Sequence, residues 1–400
     1  MSISNKKIAK SFNYPLLSDG YSNQDIYEGI KVLKSKQLTM SKLTEKFEKY
    51  FAKKIGAKYA LMVNSGSSAN LLSMFCITNP LRKKFLKKGD GCLVPALCWS
   101  TSLWPVIQAG LKPVLVDVNK DNFCIDLNEI KKNYNKKIKA ILLINVLGNC
   151  PEMEEIRNFA KKKKLLLIED NCESLGSKYK RKFLGTFGDF SSFSFYFSHQ
   201  VTSGEGGMIV CKSKEDYNLI KVLRAHGWDR NLGKKKNTFN FINQGFNLRP
   251  LEVSAAIGLN QFKRLDKMKE IRSYNRNKII NSIKSYKDWS EQFKFFNANT
   301  VIDPSWFGLP LIINIKNFTK KNKYLSYLNK HGIETRPIIS GNFANQPAVK
   351  YYNIKNKTKK FFNAQYIEDR GFFIGLPITK LSQKKIDILS KYLMNINKFK

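Results

Sequence analysis

Three short segments of this 400-residue chain carry side chains of the types and spacing that chemistry needs. The first is Asn64-Ser-Gly-Ser-Ser-Ala-Asn70. Between a strand and a helix, such a run exposes backbone N–H groups at a helix N-terminus and so makes a cradle for phosphate. Taken by itself, an ordinary helix capped by Ser or Asn is the simpler account. The second, Leu165-Leu-Leu-Ile-Glu-Asp170, puts Asp170 at the C-terminal end of an apolar strand, which is the ligand-facing edge of an open α/β sheet. A carboxylate there suits a protonated ring nitrogen, and in isolation it suits a metal or a helix cap equally well. The third is Phe193-Ser-Phe-Tyr-Phe-Ser-His-Gln-Val-Thr-Ser-Gly-Glu-Gly-Gly207, in which an aromatic strand runs into a polar stretch and a glycine-rich turn. It holds His199, one of three histidines in the chain, the others being His226 and His331. Imidazole moves protons near neutral pH. A lone histidine is more often structural, so only the combination of segments singles His199 out.

The elements that must position these segments follow from periodicity and punctuation. Residues 1–40 read as an arm plus a helix over Asn23–Ser35. Over residues 42–55 the apolar positions Leu43, Phe47, Tyr50 and Phe51 share one helix face. Tyr59–Val63 is a short strand leading into the first segment, and a helix runs on through Leu71–Ile77. Strands are expected at Gly91–Pro95, Lys112–Asp117, Ala140–Val146 and Leu165–Glu169. Helices over Ser102–Ala109, Leu127–Tyr134 and Met153–Lys162 separate them. Short apolar strands alternating with helices predict a mostly parallel sheet covered on both faces. Beyond Asp170 come an aromatic strand over Phe190–Phe197, a strand at Gly207–Cys211, and one long polar helix from Arg249 through Lys284. The remainder, with strands at Phe307–Ile313 and Gly371–Leu376, reads as a smaller α+β unit. The expected domains are thus an arm and helix over 1–40, a large domain over 41–285 and a small C-terminal domain over 286–400.

Bulk composition narrows the classes. With 42% hydrophobic residues the chain can bury a large core. It has no apolar run of about 18 residues or more, so no membrane span and no membrane partner is expected. Its start is polar and basic without an apolar stretch behind it, which does not read as a secretory signal. Seven scattered cysteines fit free thiols in a reducing cytoplasm, the expected location. The formal charge is +39, from 70 Lys+Arg against 31 Asp+Glu, but it is spread along the chain rather than gathered in one basic arm. No nucleic-acid partner is expected from it; a positive field would draw in anionic substrates such as phosphorylated sugars.

Taken in order, Ser-Gly-Ser-Ser-Ala-Asn70, Pro95-Ala-Leu-Cys-Trp-Ser, Glu169-Asp-Asn-Cys-Glu-Ser-Leu-Gly and the segment around His199 closely resemble the DegT/StrS family of nucleotide-sugar aminotransferases. The resemblance covers nearly the whole chain. It implies an α/β, PLP-dependent fold-type I (aspartate aminotransferase-like) architecture, with a mostly parallel mixed sheet in the large domain, a small C-terminal α+β domain, and a homodimer. It also implies that Gly66, Ser67 and Ser194 hold the cofactor phosphate, that Asn247 reaches over from the partner subunit, that Trp99 stacks on the pyridine ring, and that Asp170 pairs with the ring nitrogen with Glu173 nearby.

In the aminotransferases of that family a lysine that bonds covalently to PLP precedes the segment matching Gln200-Val-Thr-Ser-Gly-Glu-Gly-Gly207. Here that position is His199. Histidine at this place, with the segments 224–231, 245–252, 305–308 and 332–343, resembles the 3-dehydratase branch. That implies PLP/PMP as cofactor, L-glutamate as amino donor, and removal of the C3 hydroxyl of a nucleotide-linked 4-keto-6-deoxyhexose. His199 would be the proton carrier, and Ser198, His226, Glu334 and Arg336 would be substrate contacts. A related branch holds an iron–sulfur cluster that needs four cysteine thiolates. The last cysteine here is Cys211, so no cluster and no metal is expected. The alternatives are an aminotransferase acting on another nucleotide sugar and a homologue that kept the scaffold without catalysis.

Overall fold

In the computed structural model, residues 12–18, 20–232, 239–296, 300–352, 354 and 360–399 are described. The large sheet contains Tyr59–Val63 (β1), Gly91–Pro95 (β2), Lys112–Val116 (β3), Ile138–Ile144 (β4) and Leu166–Asp170 (β5). Two short strands, Lys178–Tyr179 (β6) and Lys182–Phe183 (β7), follow before the sheet resumes with Phe190–Ser194 (β8) and Gly207–Cys211 (β9). Its order is β1-β9-β8-β5-β4-β2-β3. The run from β8 through β3 is parallel, and β9 is antiparallel to both of its neighbours. The central strands are apolar because both faces are covered: β2, β8 and β9 are buried throughout. Each fully enclosed Leu, Ile or Val contributes about 1.5–3 kcal/mol, so truncating Leu142 to Ala in β4 is expected to cost about 2–5 kcal/mol.

A second sheet, of order β10-β12-β14-β13, is antiparallel and is built from Phe293–Phe295 (β10), Gly308–Ile313 (β12), Thr335–Arg336 (β13) and Gly371–Gly375 (β14). It has its own apolar core, including Leu309, Leu311, Phe372 and Ile374. Ile302–Asp303 (β11) pairs with β6 in a separate ribbon. No helix among the described residues is long and apolar enough to cross a membrane.

Two expected elements differ. The aromatic strand ends at Ser194 rather than Phe197. Ser194 Oγ accepts from the Tyr196 N–H, and the His199 N–H turns back to the Tyr196 carbonyl, so the chain leaves the ladder there. The long helix is two, Glu252–Lys263 and Leu265–Lys284. Arg264 breaks it at φ −95°, ψ 3°, its N–H bonding the Gln261 carbonyl at 2.8 Å while its guanidinium is drawn to Asp25 at 2.5 Å. Asp25 also caps the helix Asn23–Ser35. One carboxylate therefore ties that helix to the break.

Candidate active site

A cavity of about 410 Å³ opens at the C-terminal ends of the parallel strands, between the two sheets. Its floor begins with β1. That strand delivers Ser65 as N-cap of the helix Gly66–Ile77, where Ser65 Oγ accepts from the Ser68 N–H at 3.0 Å. The remaining free N–H groups of that first turn, together with the helix dipole, face the cavity and favour an anion. Gly66 is required by packing: a Cβ there would stand 2.7 Å from both Cys172 Sγ and Ser194 Cβ. Gly207 is tighter still, since its Cβ would meet the Ser65 backbone at 2.4 Å. Ser67 Oγ shares a hydrogen bond with Thr101 Oγ1 at 2.7 Å.

Asp170, at the end of β5, has its carboxylate fixed on three sides. Oδ2 accepts from Asn70 Nδ2 and Ser102 Oγ, both at 2.7 Å, and Oδ1 accepts from the Cys172 N–H at 3.1 Å. Asn70 is held in turn by Ser192 Oγ at 2.6 Å. Glu173 Oε2 accepts from the Leu147 N–H at 3.0 Å. Burial raises the Glu173 carboxyl to about 7; the Leu147 bond opposes this and the Asp170 charge reinforces it.

The wall that carries His199 is different in kind. The imidazole meets Phe307 edge-on with centroids 5.0 Å apart and Tyr196 edge-on at 5.9 Å. Its Nδ1 is closed off from solvent and has no hydrogen-bond partner among the described residues, which leaves Nε2 as the nitrogen that meets the cavity. Burial lowers the imidazole to about 3, and the nearby Arg272 charge pushes the same way. The ring is therefore neutral, and a proton acceptor, across the physiological range.

Of the residues singled out in the sequence, Gly66, Ser67, Trp99, Asp170, Glu173, Ser194, Ser198, His199 and Arg336 line this one cavity. Trp99 is 56% exposed, so it is not a core tryptophan and its ring is available to a ligand. Glu334 does not line the cavity; it accepts from the Leu16 N–H at 3.0 Å and pairs with Arg336 at 2.7 Å, holding that guanidinium at the rim. His226 and Asn247 lie outside the cavity of their own chain, both exposed, in adjoining segments that pair through Ala225 and Asn247. His226 therefore does not line the site of the chain that bears it. Asn70, Ser102 and Phe307 are the participants not singled out: Asn70 and Phe307 lay inside quoted segments, and Ser102 only at the start of an expected helix. Among the described residues no cluster of His, Cys, Asp and Glu is arranged to hold a metal.

A helix N-terminus lined with serine hydroxyls, an anchored carboxylate at a strand end and an exposed indole together fit a phosphate-bearing aromatic ring, on a fold of the PLP-dependent fold-type I class. The chain belongs to the DegT/DnrJ/EryC1/StrS aminotransferase family, whose model matches residues 21–390. It is 38% identical over 379 residues to the GDP-4-keto-6-deoxy-D-mannose 3-dehydratase of Escherichia coli O55:H7, covering 91% of this chain and 95% of the relative. The enzyme of that name from Yersinia pseudotuberculosis is 35% identical, covering 93% of this chain and 96% of the relative. A solved structure of the E. coli dehydratase with bound hydrated PLP superposes with a TM-score of 0.88 at 36% identity, over 96% of this chain and all (100%) of that one. Another structure of a GDP-4-keto-6-deoxymannose 3-dehydratase, with a trapped PLP-glutamate geminal diamine, gives 0.87 at 36%, over 95% of this chain and 100% of that one.

Proposed function

We propose that this protein is a PLP/PMP-dependent nucleotide-sugar 3-dehydratase that removes the C3 hydroxyl of a 4-keto-6-deoxyhexose, with GDP-4-keto-6-deoxymannose as substrate and L-glutamate as amino donor. One observation carries the reading: none of the described residues lining the cavity is a lysine, and the ionisable nitrogen base on its wall is the neutral imidazole of His199. A lysine amine would hold the cofactor covalently and recapture it after each turnover; an imidazole moves protons and cannot form that bond.

The floor would hold the cofactor without a covalent bond. Gly66 N–H, Ser67 and Ser194 would take the phosphate, Trp99 would cover one ring face, and Asp170 would bond the ring nitrogen. When bound, the cofactor supplies an electron sink and, in its amine form, a nitrogen for the sugar ketone. His199 Nε2 would accept a proton on the cofactor side of the substrate and deliver it to the departing C3 oxygen. Glu173, with its carboxyl near 7, would keep a proton available beside Asp170. Arg336, aligned by Glu334, and Ser198 would orient the substrate from the rim.

The outward placement of Asn247 and His226 supports a homodimer, in which they would serve the partner's cavity. The exposed Ile26, Tyr27, Ile30 and Leu33 on the helix Asn23–Ser35 offer apolar surface for such a contact. A cytoplasmic enzyme of surface-glycan deoxysugar synthesis, as in the lipopolysaccharide O-antigen and colitose pathways, fits these substrates.

The test mixes purified protein with PLP, L-glutamate and GDP-4-keto-6-deoxymannose. Ammonia released together with a 3-deoxy sugar is expected. Formation of 2-oxoglutarate with the sugar untouched would move the reading to another nucleotide sugar. An amino sugar would make it an aminotransferase, and no spectral trace of PLP would leave a non-catalytic homologue.

A further inference from the structure

Arg272, on the helix Leu265–Lys284, is 2% exposed. Its Nη1 donates to the carbonyls of Trp306 at 3.1 Å and Phe307 at 3.0 Å, and its Nη2 to the carbonyl of His199 at 3.3 Å. These acceptors are uncharged, and none of them lies on Arg272's own helix. Burial lowers the guanidinium to about 10, which leaves it charged at neutral pH. A buried cation whose bonds go to neutral carbonyls is expensive to keep. Neighbouring bonds tie down the same two segments. Gln200 Nε2 donates to the Ser305 carbonyl at 3.0 Å and to the Glu173 carbonyl at 2.5 Å, and Arg276, one turn along the helix, lies 4.3 Å from the Trp306 ring centroid. The chain at His199–Gln200 is thereby joined to Ser305–Phe307, and Phe307 supplies the ring that the imidazole packs against at right angles.

We propose that Arg272 is a positioning residue for His199, setting the place and orientation of the imidazole through the carbonyls of His199, Trp306 and Phe307. The inference rests on the reading of His199 as the proton carrier. Its second effect is electrostatic: a fixed positive charge behind the ring disfavours the imidazolium and keeps the base in its accepting form. The other ionisable groups lining the cavity are Tyr196 on the same loop as His199, Asp170 at the end of β5, Cys172 and Glu173 after it, Glu205 on the β8–β9 connection and Arg336 on β13. The Arg272 charge lowers the imidazole in the same direction as burial.

The experiment follows the imidazole signals by NMR during an acid titration of the cofactor-free full chain. Three histidines make the spectrum simple, and His199→Asn assigns the signal. In Arg272→Met the His199 midpoint is expected to rise by about one pH unit. In Arg272→Lys, which keeps the charge but reaches fewer carbonyls, the midpoint is expected to stay low while the His199–Phe307 ring contact weakens. With cofactor and substrate, kcat in Arg272→Lys should fall about tenfold with KM little changed, as for a misplaced base. A His199 midpoint unmoved in Arg272→Met, with only the melting temperature lowered, would make Arg272 a purely structural residue and overturn the proposal. Should the methionine variant fail to fold, wild-type ring contacts and kcat in Arg272→Lys would overturn it equally. If the wild type forms no 3-deoxy sugar, the dehydratase reading fails while the titration still decides what Arg272 does to His199.

Discussion

The floor and the His199 wall of one cavity are built by opposite means. On the floor, every polar atom of the Asp170 carboxylate has a named donor, and that network runs on through Asn70 to Ser192. On the wall, the imidazole Nδ1 has none among the described residues, and its ring neighbours are aromatic, set at right angles to it. A saturated network stabilises charge where it sits, whereas a dry aromatic wall refuses charge and keeps a base neutral. The contrast fits the proposed function, in which an anionic, ring-protonated ligand would bind on one side and a proton would move on the other.

The comparison breaks most severely at the base. His199→Asn is expected to lower ammonia release from the sugar by about 10²–10⁴-fold while PLP absorbance is retained. If both are lost together, the wall is part of the binding surface and the contrast fails. His199→Lys should restore covalent PLP attachment, seen as a shifted absorbance band.

Next in size is the floor. Asp170→Asn removes a charge and leaves either the Cys172 N–H or both Asn70 and Ser102 without their acceptor, a loss of about 1–3 kcal/mol. Cofactor affinity should fall at least as far as kcat does; an unchanged dissociation constant for PLP would argue against Asp170 as the ring partner. Gly66→Ala should cost a comparable amount, about 1–3 kcal/mol of stability and roughly tenfold in PLP affinity, because the methyl meets Ser194 and Cys172. Wild-type affinity in that variant would show that the phosphate does not sit on this turn.

The smallest effect is the sharpest test, because the two sides carry opposite signs. His199 has a folded value of about 3 against an ordinary 6.5, so the unfolded chain binds the extra proton and stability falls as pH drops from 6.5 towards 3. Glu173 has a folded value of about 7 against 4.5, so the folded protein holds the extra proton. Its contribution is present below 4.5 and is lost as pH rises through 7. Between about 4.5 and 6.5 the two slopes oppose each other. Urea midpoints of the cofactor-free protein in that window should therefore rise with pH in Glu173→Gln and fall with pH in His199→Asn. Parallel curves in the two variants would remove the distinction between floor and wall.

Much of the floor could be read directly in the sequence. β1, β2 and β9 fall on the expected residues because short apolar runs bounded by glycine or polar residues have few alternatives; the Ser65–Ser68 turn follows β1, and Asp170 closes β5. The family was legible from ordered motifs, and His199 stood out as the residue that departs from them. The wall was less legible because its properties depend on residues far apart in the chain. Nothing local to His199 announces that Arg272, 73 positions away, holds its carbonyl. The end of the aromatic strand at Ser194 and the helix break at Arg264 were also hidden, since a side-chain hydroxyl and a distant carboxylate decide them.

The glycines under the phosphate turn have one more consequence. Gly207 leaves the Ser65 backbone no room to move inward, and Gly66 is flanked by Cys172 and Ser194. The cradle's dimensions are thus set by close packing, of main chain at Gly207 and of the Cys172 and Ser194 side chains at Gly66, which leaves it little room to change shape. Association with an anion there surrenders the ligand's freedom but little of the protein's own conformational entropy. Calorimetry should find a tight site whose entropic penalty hardly changes when the surrounding serines are exchanged for alanine, even as the enthalpy falls.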